Sequence, residues 1–528
     1  MATPSSWLNY QKTLYSNDAL DFYLDISQTG ITREAIDTHQ ALFNTAFESM
    51  QGLERGAIAN PDEDRQVGHY WLRNPELAPS ETIQNQITET KEAIVAFADQ
   101  ILAGEIKTPS GNVFTHCLLI GIGGSALGPQ FLHEALATDQ GLMIHFLDNT
   151  DPDGMDRVFN NLDDHLKQTL VLVISKSGGT AETRNGMLET QNIFKNDGLD
   201  FARQAVAITG EGSQLHQTAL SENWLHIFPM WDWVGGRTSV MSAVGLLPAA
   251  LMGVDLDAFL MGASRMDQLT RSTELADNPA GLLALVWYIL GNGKGNKDMV
   301  ILPYKDSLLL FSRYLQQLIM ESLGKAHDLA GNLVEQGIAV YGNKGSTDQH
   351  AYVQQLRDGL DNFFITFIEV LKERDIKSIT VDGTNTSGEY LLGFFMGTQT
   401  ALSQNDRKSL VISVKDISPT SIGALIALYE RAVGFYASFI NINAYHQPGV
   451  EAGKKAAGNI LTLKNQIVDV LKNSPAPLTI EQIASRLEID DNESNIYIIL
   501  RHLAANRSLE IEGSFHEPGK LKVGLTGK

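Results

Sequence analysis

Short apolar runs, separated by glycine-rich loops and helical patterns, dominate the middle of the chain. The first series begins near residue 100 and consists of four runs: Val113–Ile120, Met143–Leu147, Thr169–Ile174 and Ala205–Ile208. Strands that are apolar along their whole length are typical of parallel sheets covered by helices on both faces. This series therefore predicts an α/β unit.

A second series of apolar runs begins near residue 298. Its members are Met299–Leu302, Ser378–Val381 and Leu410–Val414, and each leads towards a helical stretch. The pattern predicts a second α/β unit in tandem with the first. Sequence similarity between the two series is too weak to establish an internal repeat.

The two ends of the chain have a different character from the middle. Near the N-terminus, Leu42, Phe43, Phe47 and Met50 recur at helical spacing and predict a helical arm packed on the body. After about residue 459, the pattern predicts three short helices followed by a hairpin, an order that resembles a winged helix. The helices are Asn465–Lys472, Ile480–Leu487 and Ile496–Ala505, and the hairpin strands are Leu509–Ile511 and Leu521–Val523.

These patterns together predict an α/β protein with four parts. The predicted bounds are 1–55 for the helical arm, 56–292 and 293–458 for the two parallel-sheet domains, and 459–528 for the winged-helix-like extension. A chain of 528 residues is long enough for several domains.

Composition narrows the class of protein. The 43% hydrophobic and 19% charged fractions are those of a folded soluble enzyme. A formal charge of -22 argues against general affinity for nucleic acid or anionic membranes. The winged-helix-like tail has no basic stripe either, so we expect it to be a packing or partner-binding module.

Three further features favour the reducing cytoplasm as location. The single cysteine, Cys117, cannot form an internal disulfide and lies in an apolar run. Met1–Tyr10 lacks the pattern of a secretory signal. The apolar stretch Val244–Ala263 is interrupted by a proline and two aspartates, so it predicts buried helix rather than a membrane span.

A glycine-rich loop follows the first apolar run, in the segment Cys117–Gly128. Glycines allow backbone to approach an anion, and the helix that follows, near Ser125, offers unpaired N–H groups. The loop thus predicts an anion site. By itself it also fits a dinucleotide fingerprint, with Gly121, Gly123 and Ala126 followed by Asp148, so an NAD-dependent dehydrogenase stays open here.

A second loop of this kind lies in Val171–Thr183 and bears Ser175, Lys176, Ser177 and Thr180. Hydroxyl and backbone N–H groups suit a phosphate monoester, and a dinucleotide fold needs no second phosphate loop here. The alternative is an ordinary helix cap made by serine and threonine. The two loops together favour phosphate binding.

The second loop resembles that of a sugar isomerase (SIS) domain, and four further segments resemble the glucose-6-phosphate isomerase family in its bacterial or cyanobacterial branch. These segments are GGRTSVMSAVGL from Gly235, MESLGK from Met320, STDQHAY from Ser346 and HQPGVEAGK from His446. With the phosphate loops they extend over residues 121–454. The resemblance implies two tandem SIS-type domains and reversible isomerisation of glucose 6-phosphate and fructose 6-phosphate through a cis-enediol, in glycolysis and gluconeogenesis.

The resemblance also implies roles for individual residues. Glu321 matches the base that moves a proton between C2 and C1, work that suits a carboxylate. Arg237 matches the fixed cation beside the enediolate, and two preceding glycines let its loop approach the site closely. Taken alone, Glu321 is more typical of a solvated helix residue, and Arg237 is equally typical of a structural ion pair.

His350 and Lys454 match the acid–base pair that opens the sugar ring. A lone histidine is otherwise usually structural, and Lys454 would ordinarily be surface charge. The implied substrate-phosphate ligands are Ser125, Ser175, Lys176, Ser177, Thr180 and Gln447, with Gly123 and Gly124 in the substrate loop.

The chain departs from the familiar animal pattern at several positions. Gly178 and Gly179 stand where that pattern is bulkier, Leu323 replaces an asparagine, and His446 replaces an aspartate before Gln447. These changes put fine phosphate affinity and sugar selectivity in doubt, but not the reaction class. Side activity on mannose 6-phosphate also stays open.

Cofactors and partners follow from the same resemblance. It implies no cofactor and no metal, since proton transfer assisted by arginine needs none, and the histidines lack a compact ligand spacing. It implies a homodimer, in which His350 can come from the neighbouring chain, whereas the formal charge of -22 argues against a nucleic-acid or membrane partner. A non-enzymatic alternative is a sugar-phosphate sensor with the tail as its output.

Overall fold

The chain divides into two compact units, residues 1–446 and 447–528, in a computed structural model. The structure describes residues 7–489, 492–506 and 509–526, without the side chains of residues 450–452. The predicted stretch 1–6 of the arm lies outside the described residues. The domain bounds proposed from the sequence stay predictions, and one helix, Pro448–Lys472, runs through the position 458/459.

A five-stranded parallel sheet forms the first half of the larger unit. Its strands, in spatial order, are Met143–Leu147, His116–Ile120, Thr169–Ile174, Ala205–Thr209 and His226–Pro229. Every residue of the three central strands is buried, which explains why they are apolar except at His116, Thr169 and Thr209 near their ends. The first predicted α/β unit is therefore confirmed.

A second sheet has six strands, of which four are parallel. The spatial order of all six strands is Leu14–Asn17, Phe22–Asp25, Ser409–Val414, Phe363–Val370, Asp298–Pro303 and Val340–Tyr341, and the last four of these are the parallel ones. The prediction of a strand at Ser378–Val381 was wrong: this segment is exposed, and its one β-bridge joins Thr380 to Thr386. The central strand is instead Phe363–Val370, six of whose residues are buried.

The N-terminal arm is not purely helical. Leu14–Asn17 and Phe22–Asp25 form a hairpin, and the second strand pairs antiparallel with Ser409–Val414. Phe22 and Leu24 are buried in the core, whereas Tyr23 and Asp25, which alternate with them, are less buried. The predicted helical residues lie on Gln40–Glu54, where Phe43 and Met50 are buried.

Helices cover both sheets and surround one long buried helix, Pro419–Phe439, whose residues are almost all buried. The others in this unit are Trp7–Thr13, Arg33–Thr38, Gln40–Glu54, Glu81–Leu102, Leu127–Leu136, Pro152–Leu162, Ala181–Asn196, Gln214–Ser221, Ala243–Leu251, Leu256–Leu269, Pro279–Leu290, Phe311–Leu315, Val353–Asp358 and Ser387–Ser403. The stretch 244–263 forms parts of two of them. No helix within the described residues is long and apolar enough to cross a membrane.

The smaller unit contains the three predicted helices and the predicted hairpin, but the first helix is longer than predicted, and a strand that was not predicted, Leu478–Thr479, lies between the first two helices. Helices Pro448–Lys472, Ile480–Leu487 and Glu493–Asn506 are accompanied by a three-stranded sheet. Its strands are Leu478–Thr479, Lys522–Leu525 and Leu509–Glu512, all antiparallel. Ile467, Ile483, Leu500 and Leu521 form its own hydrophobic core.

Candidate active site

Glu321 is the last residue of a π-helical segment, Gln316–Glu321, which continues the short α-helix Phe311–Leu315. Leu318 and Ile319 of that segment are buried, whereas the Glu321 side chain is 21% exposed. Wide turns of this kind are frequent at functional sites. The Glu321 carboxylate is therefore held by a buried segment and can still meet a ligand, unlike an ordinary solvated helix residue.

Arg237 lies beside Glu321, with 3.1 Å between its Nη1 and the Oε2 of the carboxylate. Its Nη2 donates to the carbonyls of Ala444 (2.8 Å) and His446 (3.0 Å), and the side chain is 5% exposed. Burial lowers the pKa of Arg237, and Glu321 opposes that effect. Since an arginine stays protonated in proteins, the site has a fixed cation at the carboxylate.

The first glycine-rich loop packs directly against the loop of Arg237. Gly123–Ser125 forms a 3₁₀ turn before helix Leu127–Leu136, and Gly123 has a φ of +58°. A Cβ at Gly124 would lie 2.1 Å from the carbonyl oxygen of Gly236. At Gly236 itself, a Cβ would meet nothing within 4 Å. The close approach therefore requires glycine in the first loop, rather than in the pair before Arg237.

The second loop is organised by its own hydroxyl groups. Ser175 Oγ accepts from the N–H of Gly178 (3.1 Å), and Ser177 Oγ accepts from the N–H of Gly179 (3.2 Å). Helix Ala181–Asn196 follows, and Thr180 before it makes no side-chain capping bond. The Thr180 hydroxyl therefore does not cap this helix, whereas the Ser175 and Ser177 hydroxyls do satisfy N–H groups of the loop.

Lys176 joins the second loop to the loop of Arg237. Its Nζ donates to the carbonyls of Asp232 (3.1 Å) and Val234 (3.2 Å) and lies 3.4 Å from the Asp232 carboxylate. Burial lowers the pKa of Lys176, while Asp232 raises it. A pocket lined by Lys176, Gly235, Arg237 and Tyr445 among others adjoins these groups.

The predicted ring-opening and remaining phosphate residues lie elsewhere in the chain. His350 ends the 3₁₀ turn Thr347–His350 and is exposed, and its imidazole makes no hydrogen bond or ion pair with the described residues. Gln447 and Lys454 belong to the smaller unit: Gln447 precedes helix Pro448–Lys472, and Lys454 is exposed on it. Within the larger unit, the structure thus brings together Glu321, Arg237 and the two loops.

The departures from the animal pattern have different local reasons. Leu323 is fully buried in the hydrophobic core, so it has no access to a substrate. Gly178 has a φ of +70°, and a Cβ there would lie 2.3 Å from the backbone nitrogen of Leu215. His446 presents its carbonyl to Arg237, and its Nε2 lies 3.7 Å from Asp62 Oδ2.

Two observations change the sequence-based account. Asp148, which completed the alternative dinucleotide fingerprint, is contacted by Arg313 (3.3 Å) and by the amide of Gln130 (2.9 Å). Lys325 was missed: it is buried beside Glu321, within the MESLGK segment that pointed to Glu321. Its position in that segment could have pointed to it, but the sequence does not show that a given lysine is buried.

Comparisons with known proteins show what the whole chain is similar to. The model of the phosphoglucose isomerase family matches residues 25–404 and 396–474. The glucose-6-phosphate isomerase of Thermosynechococcus vestitus is 59% identical over 518 residues, 98% of each chain. That of a Nostoc species is 57% identical over 528 residues, the whole of both chains. A crystal structure of the glucose-6-phosphate isomerase of Chlamydia trachomatis is similar, with a TM-score of 0.80, 25% identity and coverage of 94% and 95%.

Proposed function

This chain belongs to the phosphoglucose isomerase family and interconverts glucose 6-phosphate and fructose 6-phosphate, and on that premise we propose that Glu321 carries the proton between C2 and C1. The reaction serves glycolysis and gluconeogenesis. The observation that supports the assignment of Glu321 is its 3.1 Å contact with the buried Arg237. Formation of an enediolate requires a base to remove the proton and is favoured by a fixed cation beside the developing negative charge.

The proton transfer consists of two steps. Glu321 removes the proton from C2 of the open-chain sugar, and the electrons of the broken C–H bond form the enediol as the C1 carbonyl oxygen gains negative charge. Arg237 stabilises that charge without giving up a proton. The proton of the C2 hydroxyl passes to the oxygen at C1, and Glu321 returns a proton to C1, so that C1 becomes a CH2OH group and C2 becomes the ketone.

The phosphate of the substrate is assigned to the two loops. Their backbone N–H groups, together with the hydroxyls of Ser125, Ser175, Ser177 and Thr180, offer donors to an anionic ester, with Gln447 as a further ligand. Gly123 and Gly124 allow the sugar to approach the backbone. Lys176, which binds the carbonyls of Asp232 and Val234, contributes positive charge and holds the neighbouring loop in place.

Ring opening is assigned to His350 and Lys454. An imidazole titrates near neutral pH and can pass a proton to or from the ring oxygen, while Lys454 serves the neighbouring hydroxyl. His350 is exposed, on a turn anchored by the buried Asp348, which accepts from the N–H of Asn343 (2.9 Å). We place His350 in the site of a second copy of the chain, which makes the active enzyme a homodimer.

We also place the enzyme in the cytoplasm, without a nucleic-acid or membrane partner. The single cysteine, Cys117, is buried, and burial raises the pKa of its thiol, so it is not a reactive group. A reducing compartment suits such a protein. The formal charge of -22 opposes binding to anionic polymers or lipids.

Replacement of Glu321 by glutamine tests the assignment of the base. An amide cannot accept the proton, so we expect turnover to fall by about 10³-fold or more while fructose 6-phosphate still binds. Glu48→Gln, an identical change at an exposed helical position, is the control and should leave turnover intact. Near-normal turnover of Glu321→Gln contradicts the assignment.

Mixing of two inactive variants tests the shared site. In a hybrid of Glu321→Gln with His350→Ala, one of the two sites receives an intact Glu321 from one chain and an intact His350 from the other. Random reassociation of equal amounts should therefore restore about one quarter of the wild-type activity, because half of the dimers are hybrids with one good site. No recovery, in hybrids shown to have formed, places both residues in the same chain.

A further inference from the structure

Lys325 is a buried lysine four residues after Glu321. It begins the strand Lys325–His327 and is 5% exposed. Its Nζ donates to the carbonyl oxygen of Glu321 (2.7 Å) and to that of Ser322 (2.8 Å). Lysine is rarely buried without a partner, so these two bonds are the reason for its position.

The two carbonyls are those that the end of a helix leaves without partners. The N–H of Gly324 bonds the carbonyl of Met320 (2.9 Å), and after Gly324 the chain leaves the helix for the ribbon of Lys325–His327 and Leu333–Gln336. The last carbonyls of a helix have no intrahelical donor, and leaving them unsatisfied in a buried position is costly. Lys325 supplies both donors and thereby fixes the backbone at Glu321.

Charged groups surround the amine on several sides. Arg237 disfavours its protonation, and Glu321 and Asp62 favour it. His446, on the segment that accepts hydrogen bonds from Arg237, also lies within electrostatic range of Lys325. The bonds of Lys325 therefore lie at the point where the base, the fixed cation and the His446 segment meet.

We propose that Lys325 is a positioning residue for the reaction: by holding the carbonyls of Glu321 and Ser322, it keeps the Glu321 carboxylate against Arg237 while the proton is carried from C2 to C1. This inference rests on the proposed role of Glu321. Small displacements of a catalytic group reduce rate strongly, whereas substrate binding through distant phosphate ligands is less affected.

Lys325→Met removes the donors and keeps an unbranched side chain of similar length. We expect kcat to fall about 10- to 100-fold, with KM within about twofold of wild type. Lys305→Met is the matched control, since Lys305 Nζ also donates to two carbonyls, those of Lys372 (3.2 Å) and Glu373 (2.6 Å), away from Glu321. A loss of kcat in Lys325→Met that does not exceed that of Lys305→Met overturns the proposal.

An isotope measurement separates positioning from mere stabilisation of the fold. Glucose 6-phosphate deuterated at C2 gives fructose 6-phosphate whose C1 either keeps the deuterium or has lost it to water. A loosely held carboxylate exchanges its deuterium more often, so the retained fraction should fall in Lys325→Met and stay at the wild-type value in Lys305→Met. A reduced kcat with an unchanged retained fraction overturns the proposal.

Two further variants keep the test decisive. If Lys325→Met does not fold, Lys325→Gln, which keeps N–H donors without the charge, is measured in the same way. Its retained fraction should lie below the wild-type value, and an unchanged fraction again overturns the inference. Glu321→Gln separates the two proposals: if it is active, the proposed function fails, whereas an inactive Glu321→Gln beside a normal Lys325→Met refutes the role of Lys325 alone.

Discussion

Lys325 is also a residue whose protonation differs between the folded and the unfolded chain. Burial, assisted by Arg237, lowers the pKa of Lys325 from 10.5 to about 7. Between these two values the unfolded chain binds more protons, so this residue's contribution to stability rises with pH above about 7 and levels off near 10.5. Well below pH 7 Lys325 is protonated in both the folded and the unfolded chain, so it destabilises the fold by an amount that no longer changes with pH.

This linkage predicts a pH-dependent difference between wild type and Lys325→Met. One pKa unit corresponds to about 1.4 kcal/mol, so wild type should gain on the order of 2 kcal/mol relative to the variant between pH 7 and pH 9. Urea denaturation of both proteins at the two pH values measures the gain. A difference that stays constant or shrinks as pH rises contradicts the burial of a titrating amine.

Single residues differ in how far sequence alone predicts them. Glu321 and Arg237 were proposed as site residues because their surrounding segments carry a recognisable pattern; the structure places them 3.1 Å apart, and their catalytic roles stay predictions. Lys325 was not found, since its role depends on burial and on the end of a helix, neither of which residue type reveals. The contacts of His350, Gln447 and Lys454 with a substrate stay predictions.

The first glycine-rich loop and the loop of Arg237 are in tight backbone contact. A Cβ at Gly124 would lie 2.1 Å from the carbonyl oxygen of Gly236, so Gly124→Ala must displace one of the two loops. We expect kcat/KM to fall at least about tenfold, because the Arg237 cation and the phosphate donors no longer keep their mutual geometry.

Gly52→Ala is the control for Gly124→Ala. Gly52 lies in helix Gln40–Glu54, and a Cβ there meets nothing within 4 Å. It should leave kcat/KM unchanged and, if anything, stabilise the helix by about 0.5–1 kcal/mol. Steady-state kinetics of the two variants decides the matter, and equal activities refute the coupling of the loops.

Elements with a strong local pattern were predictable, and those that depend on distant partners were not. All strands of the first sheet except His226–Pro229 follow the apolar runs, and the three central ones are buried along their whole length. Phe22–Asp25 was missed because its strand conformation depends on pairing with Ser409–Val414, hundreds of residues away. Ser378–Val381 has strand-like residues but lies exposed, where tertiary packing overrides propensity.

At the scale of the whole molecule, a buried network of charges links the N-terminal arm to the core. Arg431 on helix Pro419–Phe439 contacts Asp267 (2.7 Å) and Glu54 (2.5 Å), and Arg73 contacts Asp267 (3.0 Å). The side chains of Arg431, Asp267 and Arg73 are at most 2% exposed. Sequence patterns gave no sign of this network, because charged residues are usually at the surface.

Loss of one member of this network should be strongly destabilising. Arg431→Met leaves two buried carboxylates with one fewer cation, so we expect the free energy of unfolding to fall by about 3–5 kcal/mol. Arg33→Met, which breaks an exposed pair with Asp37, should cost no more than about 0.5 kcal/mol. Urea denaturation compares the two, and similar small changes contradict a structural role for the network.

Exchange of the C1 hydrogen of fructose 6-phosphate with heavy water tests the proton-carrier role of Glu321 most directly. In the wild-type enzyme, NMR should show deuterium entering one C1 position, because a carboxylate that takes up the proton can trade it with solvent before returning it. In Glu321→Gln, with fructose 6-phosphate bound to the same extent, this exchange should be lost. Undiminished exchange in Glu321→Gln, or isomerisation by wild type without any deuterium uptake, contradicts the account.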